Sequence, residues 1–149
     1  NYRINTQKHH KIMKKTLFSC ILTCLALCAC NTPTASNNNI ANDIIGEWCI
    51  IEAMGISTEA ADTKPFIHFT DSGTIDGHTS VNTFFGQYTV NEDSIFFDQV
   101  GSTMRMGEDM EIEVAVMEAL GMCTTLDVQD SAIYASDIFG NNVMVLKRQ

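Results

Sequence analysis

From residue 44 onward, the chain consists of short apolar runs separated by clusters of turn-forming residues. In one run, Ile67 and Phe69 alternate with Phe66 and His68, which is the period-two pattern of a half-buried strand. The runs span residues 44–56, 65–70, 81–90, 95–100, 124–129, 132–137 and 143–147. Aspartate, serine, asparagine and glycine dominate several of the segments between them, at 71–73, 91–94, 130–131 and 140–142. Short strands at this spacing predict a mainly β fold, an antiparallel meander that forms a small barrel or a strongly curved sheet.

Residues 107–121 do not follow the strand pattern. They contain no proline, and apolar side chains recur there at helical spacing. The stripe consists of Met106, Met110, Val114, Met117 and Gly121, with Leu120 at its edge. Acidic residues cluster in the first turns, where the helix dipole favours them. The pattern predicts one α-helix over about 107–121, which covers the sheet or plugs one end of the barrel with this stripe facing the core.

The charge of the chain is divided unevenly along its length. The net charge is −9, but residues 1–29 carry five Lys or Arg and no carboxylate, so residues 30–149 carry −14. A surface with this charge repels phosphates and lacks a basic patch. We therefore do not expect the chain to bind nucleic acid. An apolar content of 45% with nine Gly and two Pro also excludes collagen and a fully disordered chain.

The first thirty residues have the organisation of a bacterial export signal. Two lysines follow Met13, and an uncharged run then extends to Cys30. The run is shorter than the about 20 apolar residues that a membrane-spanning helix needs, so residues 13–29 are interpreted as a signal peptide. Residues 1–12 are interpreted as an upstream extension that is not native.

Residues 27–30, Leu-Cys-Ala-Cys, resemble the lipobox of bacterial lipoproteins. The resemblance implies a lipid on Cys30 and attachment to the membrane through it. Residues 30–43 are rich in Thr, Ser and Asn and are predicted to be a flexible tether, which leaves 44–149 as one globular domain. The next residue is Asn31 rather than Asp, and by resemblance to sorted lipoproteins this favours the periplasmic face of the outer membrane.

Two cysteines, Cys49 and Cys123, remain when the signal peptide and the lipidated residue are set aside. In an oxidising compartment they could form a disulfide, which would close a loop of about 75 residues and stabilise the fold by about 4 kcal/mol. Both could equally be small buried apolar side chains without a bond. The sequence leaves these two alternatives open.

Several motifs occur together in one order and spacing. They are Gly-Glu-Trp at 46–48, Pro-Phe-Ile-His-Phe at 65–69, Gly-x-x-Ser-Val-Asn-x-x-x-Gly-x-Tyr at 77–88, Ser-Thr-Met-Arg-Met-Gly at 102–107, and Met-x-x-Glu at 110–113 followed by Ala-Leu at 119–120. On these motifs, from about Ile44 to Arg148, the chain resembles the META/HslJ family.

The resemblance implies a small β-rich domain with one helix. Members are often lipid-anchored in the cell envelope, and some are associated with heat shock, antibiotic tolerance or virulence. No enzymatic activity is established for the family, so the chain is expected not to be an enzyme. The matching residues are expected to have structural roles; they are Trp48, Gly77, Asn82, Gly86, Tyr88, Thr103 and Glu113.

The chain departs from the family pattern at two positions. Many members have Gly-Cys-Asn where this chain has Ser80, Val81 and Asn82, and a second cysteine where it has Gly107. Both cysteines are therefore missing together, which removes any pairing that those positions could provide.

Polar residues at 76–80 raise the question of a catalytic centre. Asp76, His78 and Ser80 would share one face of a strand, but neighbours on one face stand about 6.5–7 Å apart, too far for the hydrogen bonds of a hydrolytic triad. A solvated polar face is the favoured interpretation. Outside the first 43 residues the histidines are His68 and His78, and no motif of zinc ligands such as His-Glu-x-x-His accompanies them. We therefore expect neither a catalytic centre nor a cofactor.

Methionines concentrate near the predicted helix and raise the alternative of a Cu(I) site. The candidate ligands are Met104, Met106, Met110 and Met122, because Cu(I) prefers soft sulfur ligands. Methionine is also an ordinary filler of irregular core gaps, which is the favoured interpretation. Near the same stripe, we expect Glu113 to be partly buried and paired with Arg105.

The sequence thus predicts a non-enzymatic lipoprotein of the cell envelope that acts through contacts with another envelope protein, in stress or antibiotic tolerance. Two alternatives remain. One is a barrel whose interior or mouth binds a small apolar or amphiphilic ligand; the other is a periplasmic Cu(I)-binding protein. Membrane contact is expected through the lipid on Cys30, and the oligomeric state is left open.

Overall fold

The computed structural model describes residues 39–148 of the chain. The predictions for residues 1–38, including the upstream extension, the signal peptide and the lipid on Cys30, lie outside the described residues. The strands are β1 Gly46–Ala53, β2 Ile56–Ser57, β3 Phe66–Phe69, β4 Thr74–His78, β5 Thr83–Asn91, β6 Ser94–Ser102, β7 Thr125–Gln129, β8 Ala132–Ser136 and β9 Asn142–Arg148. The prediction of a mainly β fold is confirmed.

The strands form one antiparallel sheet that closes into a ring. Consecutive strands pair from β3 to β9, β1 pairs with both β2 and β3, and β9 returns to pair with β1. Closure is uneven, because β6 and β7 share a single residue pair, Ser94 with Thr125. At this junction the N–H group of Ile95 donates to the carbonyl oxygen of Thr124 at 2.9 Å. The sheet is therefore a closed ring but not a regular barrel.

Large apolar side chains fill the inner side of the ring. In β1 and β3, buried residues alternate with more exposed ones, as expected for strands with one face in the core. The largest fully buried apolar side chains are Trp48, Phe69, Phe84, Ile44, Ile50, Ile67, Ile75, Ile133, Met144, Leu146 and Val116. These side chains form the hydrophobic core inside the ring.

Two helices accompany the sheet in the described part of the chain. Helix α1, Ile40–Asp43, is a single turn that lies within the segment 30–43 predicted to be a tether. Helix α2, Met110–Met122, begins three residues later and ends one residue later than predicted, and it packs against β1 and β9. Neither helix is long and apolar enough to cross a membrane.

The predicted buried face of α2 is right only at Leu120, which is buried, and Met117, which packs against the core. Val114 is exposed on α2, and Met106, which precedes the helix, is exposed as well. The residues that α2 buries are Ile112, Glu113, Ala115, Val116, Ala119 and Leu120. Apolar residues lie on all sides of this helix, so two stripes at helical spacing compete in the sequence. The observed stripe contains two alanines, whose small side chains let the helix approach the sheet closely.

Strand β4 is missing from the prediction because its sequence resembles a turn. Ile75 is its one large apolar residue, and Gly77 indicates a break. In the structure, a Cβ atom on Gly77 would lie 2.2 Å from the carbonyl oxygen of Phe66 and 2.4 Å from the ring of Phe84. Only glycine fits between them. Gly77 therefore makes the sequence resemble a turn and also allows β4 to pack against its neighbours.

Candidate functional site

Three of the family-motif residues meet in one buried site. The site joins the turn between β4 and β5 (residues 79–82), the loop between β6 and α2 (residues 103–109), and the first turn of α2. The side chains that we call the polar cluster are Thr79, Asn82, Thr103 and Glu113. Motif residues that are far apart in the sequence thus form a single hydrogen-bonded unit.

The turn 79–82 is held in shape by its own residues. The N–H group of Thr79 donates to the carbonyl oxygen of Asn82 at 2.8 Å, and the N–H group of Asn82 donates to Oγ1 of Thr79 at 3.0 Å. Ser80 has a φ of 97°, in a region that residues with a Cβ atom rarely adopt. These constraints fix the direction in which the Asn82 side chain leaves the turn.

The side chain of Asn82 uses its full hydrogen-bonding capacity. Its Nδ2 donates to Oε2 of Glu113 at 2.5 Å and to the carbonyl oxygen of Arg105 at 3.0 Å. Its Oδ1 accepts from Oγ1 of Thr103 at 2.6 Å and from the N–H group of Arg105 at 2.7 Å. An amide has two donor hydrogens and two acceptor lone pairs, and all four are engaged. Asn82 therefore clamps the loop 103–109 to the turn and to the helix.

Glu113 is buried, as predicted, but its partners differ from the prediction. Its Oε2 accepts from Asn82 and from Oγ1 of Thr79, the latter at 3.1 Å. Arg105 enters the site through its backbone, and among residues 39–148 no ion pair joins its guanidinium to Glu113. Two neutral donors, rather than a salt bridge, therefore bind Oε2 of this buried side chain.

A second set of bonds lies beside the polar cluster. Oγ of Ser80 donates to Oδ2 of Asp109 at 2.6 Å, and the N–H group of Asp62 donates to the same oxygen at 3.0 Å. The hydrogen bond from Ser80, followed by that from Asp62, holds the pKa of Asp109 below its usual value. Asp109 thus ties the turn 79–82 to the residue that directly precedes α2.

Asp76, His78 and Ser80, which the sequence analysis considered as a hydrolytic triad, make other contacts in the structure. Asp76 lies 3.1 Å from Nδ1 of His68, on the exposed face of the sheet. His78 accepts the backbone N–H group of Ser80 at its Nδ1 at 3.0 Å. The hydroxyl of Ser80 is committed to Asp109, so these residues do not form a relay from acid to base to nucleophile.

The candidate copper ligands do not all meet. Met110 and Met122 are the first and last residues of α2, so their backbones are about 18 Å apart at 1.5 Å per residue, too far for both to bind one ion. Met104 and Met106 lie in the loop 103–109, where their side chains are 97% and 86% exposed. The four sulfurs therefore do not form the predicted site. Within residues 39–148, no group of three or more His, Cys, Asp or Glu is placed to hold a metal ion either.

The remaining motif residues support the wall of the sheet. Nε1 of Trp48 donates to the carbonyl oxygen of Ile44 at 2.6 Å, and the guanidinium of Arg148 lies 4.5 Å from the centre of its ring. The hydroxyl of Tyr88 donates to the carbonyl oxygen of Thr70 at 2.6 Å. These contacts join strands to the segments that flank them.

Gly86 lies at an irregularity between β5 and β6. The pairing register shifts between Phe85 and Gln87, and a Cβ atom on Gly86 would lie 3.2 Å from the carbonyl oxygen of Asp98. It would also lie 3.0 Å from Cγ2 of Val100. Gly86 therefore permits a close approach of β6 at the bulge.

The two cysteines of the domain are not bonded to each other. Cys123 is a buried thiol at the end of α2, and its sulfur lies 3.8 Å from the carbonyl oxygen of Thr125. Burial raises the pKa of this thiol to about 12. Cys49 lies between the inward-facing Trp48 and Ile50 on β1, so its side chain points to the opposite face of the sheet. This orientation explains why the candidate disulfide is not formed.

Sequence reasoning missed two residues of the site, Thr79 and Asp109. Thr79 precedes Asn82 by three positions, and a threonine at the start of a tight turn is a recognisable signal for a side chain that bonds the turn's backbone. The sequence places Asp109 only among the acidic residues at the start of the predicted helix. Its bond to Ser80 spans 29 positions, and no local pattern indicates such a contact.

The comparisons with known proteins cover most of this domain. The META domain family model matches residues 42–149. Comparison with curated proteins finds no match. A protein from Burkholderia xenovorans solved by NMR is 17% identical, with a TM-score of 0.56 over 73% of this chain and 86% of that chain.

Two other solved structures are similar in fold. A second NMR structure is 13% identical, with a TM-score of 0.58 over 72% of this chain and 92% of the other. A DUF4847 family protein from Bacteroides vulgatus is 10% identical, with a TM-score of 0.54 over 71% of this chain and 94% of that one. The structural matches support the fold, and the family model covers the whole polar cluster. The chain therefore belongs to the META domain family.

Proposed function

We propose that this chain is a non-enzymatic, lipid-anchored protein of the cell envelope that acts by binding another envelope protein through the loop 103–109. The observation that carries the proposal is the exposure of Met104 and Met106, at 97% and 86%, on a loop whose backbone is clamped. Large exposed apolar side chains mark protein contacts when they are grouped, and methionine adapts to varied partner surfaces.

The clamp matters because it reduces the entropy lost on binding. Asn82 bonds both backbone groups of Arg105, the residue between the two methionines. A loop that is already ordered does not have to be ordered by the partner. The exposed Glu108 and Glu111 outnumber the exposed Arg105 near the two methionines, so the partner surface that fits is an apolar pocket with a mainly basic rim.

The lipid anchor and the envelope location are supported by the lipobox resemblance at residues 27–30. Feeding cells labelled palmitate should label the wild-type chain and not a Cys30→Ser variant. Label that persists in the variant would refute the anchor while leaving the loop proposal standing. The proposed role in stress or antibiotic tolerance is supported by the association of some family members with these conditions.

Photo-crosslinking in cells that produce the full chain tests the partner surface. We expect a crosslinking amino acid at position 104 or 106 to capture one envelope protein, and the same group at position 118 to capture none. Glu118 is an exposed residue of α2 and provides the matched control. Identical products from positions 104 and 118 would contradict the proposal.

A double variant provides an independent test. Met104→Gln/Met106→Gln should keep the fold, because both side chains are exposed, and should lose the captured protein in affinity purification. Phe139→Gln, at another exposed apolar residue, should retain it. Retention of the partner by the double variant would overturn the assignment of this loop.

A further inference from the structure

A groove of about 460 Å³ lies on the outer face of the sheet, where β4, β5 and β6 run side by side. Its volume falls within the range of about 300–1,000 Å³ that is typical of small-molecule sites. The side chains that line it include Ser72, Thr74, Gln87, Thr89, Phe96 and Asp98. None of them belongs to the polar cluster or to the loop 103–109, so the groove is a separate site.

The strand register places these side chains in two rows. Thr74 lies opposite Gln87, and Gln87 lies opposite Asp98, which forms one row across three strands. Thr89 lies opposite Phe96 in the second row. Because strands in a sheet are about 4.8 Å apart, the backbones of β4 and β6 stand about 10 Å apart. The groove therefore extends over three strands, with Gln87 and Thr89 of β5 on its floor.

The floor of the groove continues into the turn between β3 and β4. The N–H group of Tyr88 donates to the carbonyl oxygen of Gly73 at 2.8 Å, which holds this turn against β5. Oγ1 of Thr70 lies 2.9 Å from the hydroxyl of Ser72 and 2.8 Å from that of Thr74. These bonds position two hydroxyl groups at one wall of the groove.

The opposite wall combines an aromatic ring with a carboxylate. Phe96 is 65% exposed and presents a flat apolar ring. Oδ1 of Asp98 accepts the N–H group of Gln99 at 2.8 Å, which orients the carboxylate. Within residues 39–148, the amide of Gln87 and the hydroxyl of Thr89 make no hydrogen bond. Both groups are therefore available to a ligand.

A pyranose sugar has the complementary chemistry. One face of its ring consists of C–H groups that can stack on an aromatic side chain, and its rim carries hydroxyls that both donate and accept hydrogen bonds. The ionic side chain lining the groove is Asp98, and residues 30–149 carry a net charge of −14. Phosphates and acidic sugars are thus disfavoured by the local and the overall charge.

We propose that the groove formed by β4, β5 and β6 binds a neutral saccharide. One sugar ring stacks on Phe96, and its hydroxyls bond Gln87 and Asp98. This site is independent of the protein-binding loop, so its failure would leave that proposal unaffected.

Isothermal titration of the full chain with chitotriose and maltotriose tests the proposal. We expect one of these neutral trisaccharides to bind with a stoichiometry of one, and both Phe96→Ala and Gln87→Ala to weaken its binding by about tenfold or more. Phe85→Ala is the matched control, because Phe85 is 60% exposed on β5 and does not line the groove. Its affinity should stay within about twofold of wild type.

Three results would overturn the proposal. The first is that neither trisaccharide binds at millimolar concentration. The second is that Phe85→Ala weakens binding as much as Phe96→Ala does. The third is that trigalacturonate, an acidic trisaccharide, binds as tightly as the neutral ones. Thermal unfolding of each variant separates loss of binding from loss of fold, and Gln87→Ala, a change at an exposed polar residue, provides a second variant if Phe96→Ala is unstable.

Discussion

Positions 81 and 107 are close enough to be joined by a disulfide, although the chain has cysteine at neither. A Cβ atom on Gly107 would lie 3.6 Å from Cβ of Val81, and disulfides require a separation of about 3.5–4.5 Å. The φ of Gly107 lies outside the left-handed region, so a cysteine is not strained there. We expect Val81→Cys/Gly107→Cys to form the bond on oxidation and to join the turn 79–82 to the loop 103–109.

The expected stabilisation follows from the length of the closed loop. The bond would enclose the 27 residues from Val81 to Gly107. The chain-entropy relation gives about 12 cal/mol/K for a loop of this length, or about 3.5 kcal/mol at 25 °C. Native strain should be small, because the substitution at position 81 removes the two γ carbons that would otherwise lie 2.9 and 3.1 Å from the new Cβ atom.

Urea unfolding of the oxidised and reduced double variant measures this difference directly. Peptide mapping establishes that the bond joins positions 81 and 107 rather than either native cysteine, and the two single variants serve as controls. Gly107→Cys alone should be less stable than wild type, because it meets the γ carbons of Val81. Thiols that survive oxidation, or equal stability of the oxidised and reduced forms, would refute the geometry on which the prediction rests.

Three further variants test the polar cluster, Asp109 and Cys123. Asn82→Ala removes the partner of both backbone groups of Arg105 and one partner each of Thr103 and Glu113, and we expect a loss of about 3 kcal/mol in urea unfolding. The exposed control Asn91→Ala should change stability by no more than about 0.5 kcal/mol. Burial raises the pKa of Cys123 from 9.0 to about 12, so above pH 9 the unfolded chain binds fewer protons than the folded one. The free energy of unfolding should then fall by about 1.4 kcal/mol per pH unit toward pH 12, and Cys123→Ala should lack this component; equal slopes would contradict the assignment. Ser80→Ala removes the largest cause of the lowered pKa of Asp109. That pKa should rise in an NMR titration, and the stability that the ionised carboxylate contributes, which is lost as pH falls, should shrink; an unchanged pKa would show that Ser80 is not the cause.

Turn chemistry explains which strands could be predicted. The segments 130–131 and 140–142 are rich in turn formers, and β8 and β9 begin and end within one residue of the predicted runs. Strand β4 has no such pattern, because its packing depends on the absence of a side chain at Gly77. A hydrophobic pattern reveals apolar side chains that are buried in the core. It does not reveal a position such as Gly77, where neighbouring atoms leave no room for a side chain.

The polar cluster could be predicted only in part, for a related reason. The sequence identifies Glu113 as buried, because it falls beside an apolar stripe, and it supplies Arg105 as the obvious opposite charge. The structure pairs Glu113 with the amide of Asn82 across 31 positions. The sequence around an asparagine does not show whether its side chain bonds only its own turn or also reaches a distant helix. The bond between Asn82 and Glu113 can therefore be predicted only when the fold that brings the two residues together is known.

The two missing cysteines and the Asn82 clamp act on the same pair of segments. Val81 touches the position of Gly107, while Asn82 bonds the loop 103–109 at Thr103 and Arg105. A disulfide at positions 81 and 107 would therefore duplicate a connection that the amide already makes, and its absence leaves the loop held by hydrogen bonds alone. Unlike a disulfide, hydrogen bonds break and form again without a reductant or an oxidant. The presentation of Met104 and Met106 in this chain therefore rests on the hydrogen bonds that Asn82 makes to Thr103 and Arg105.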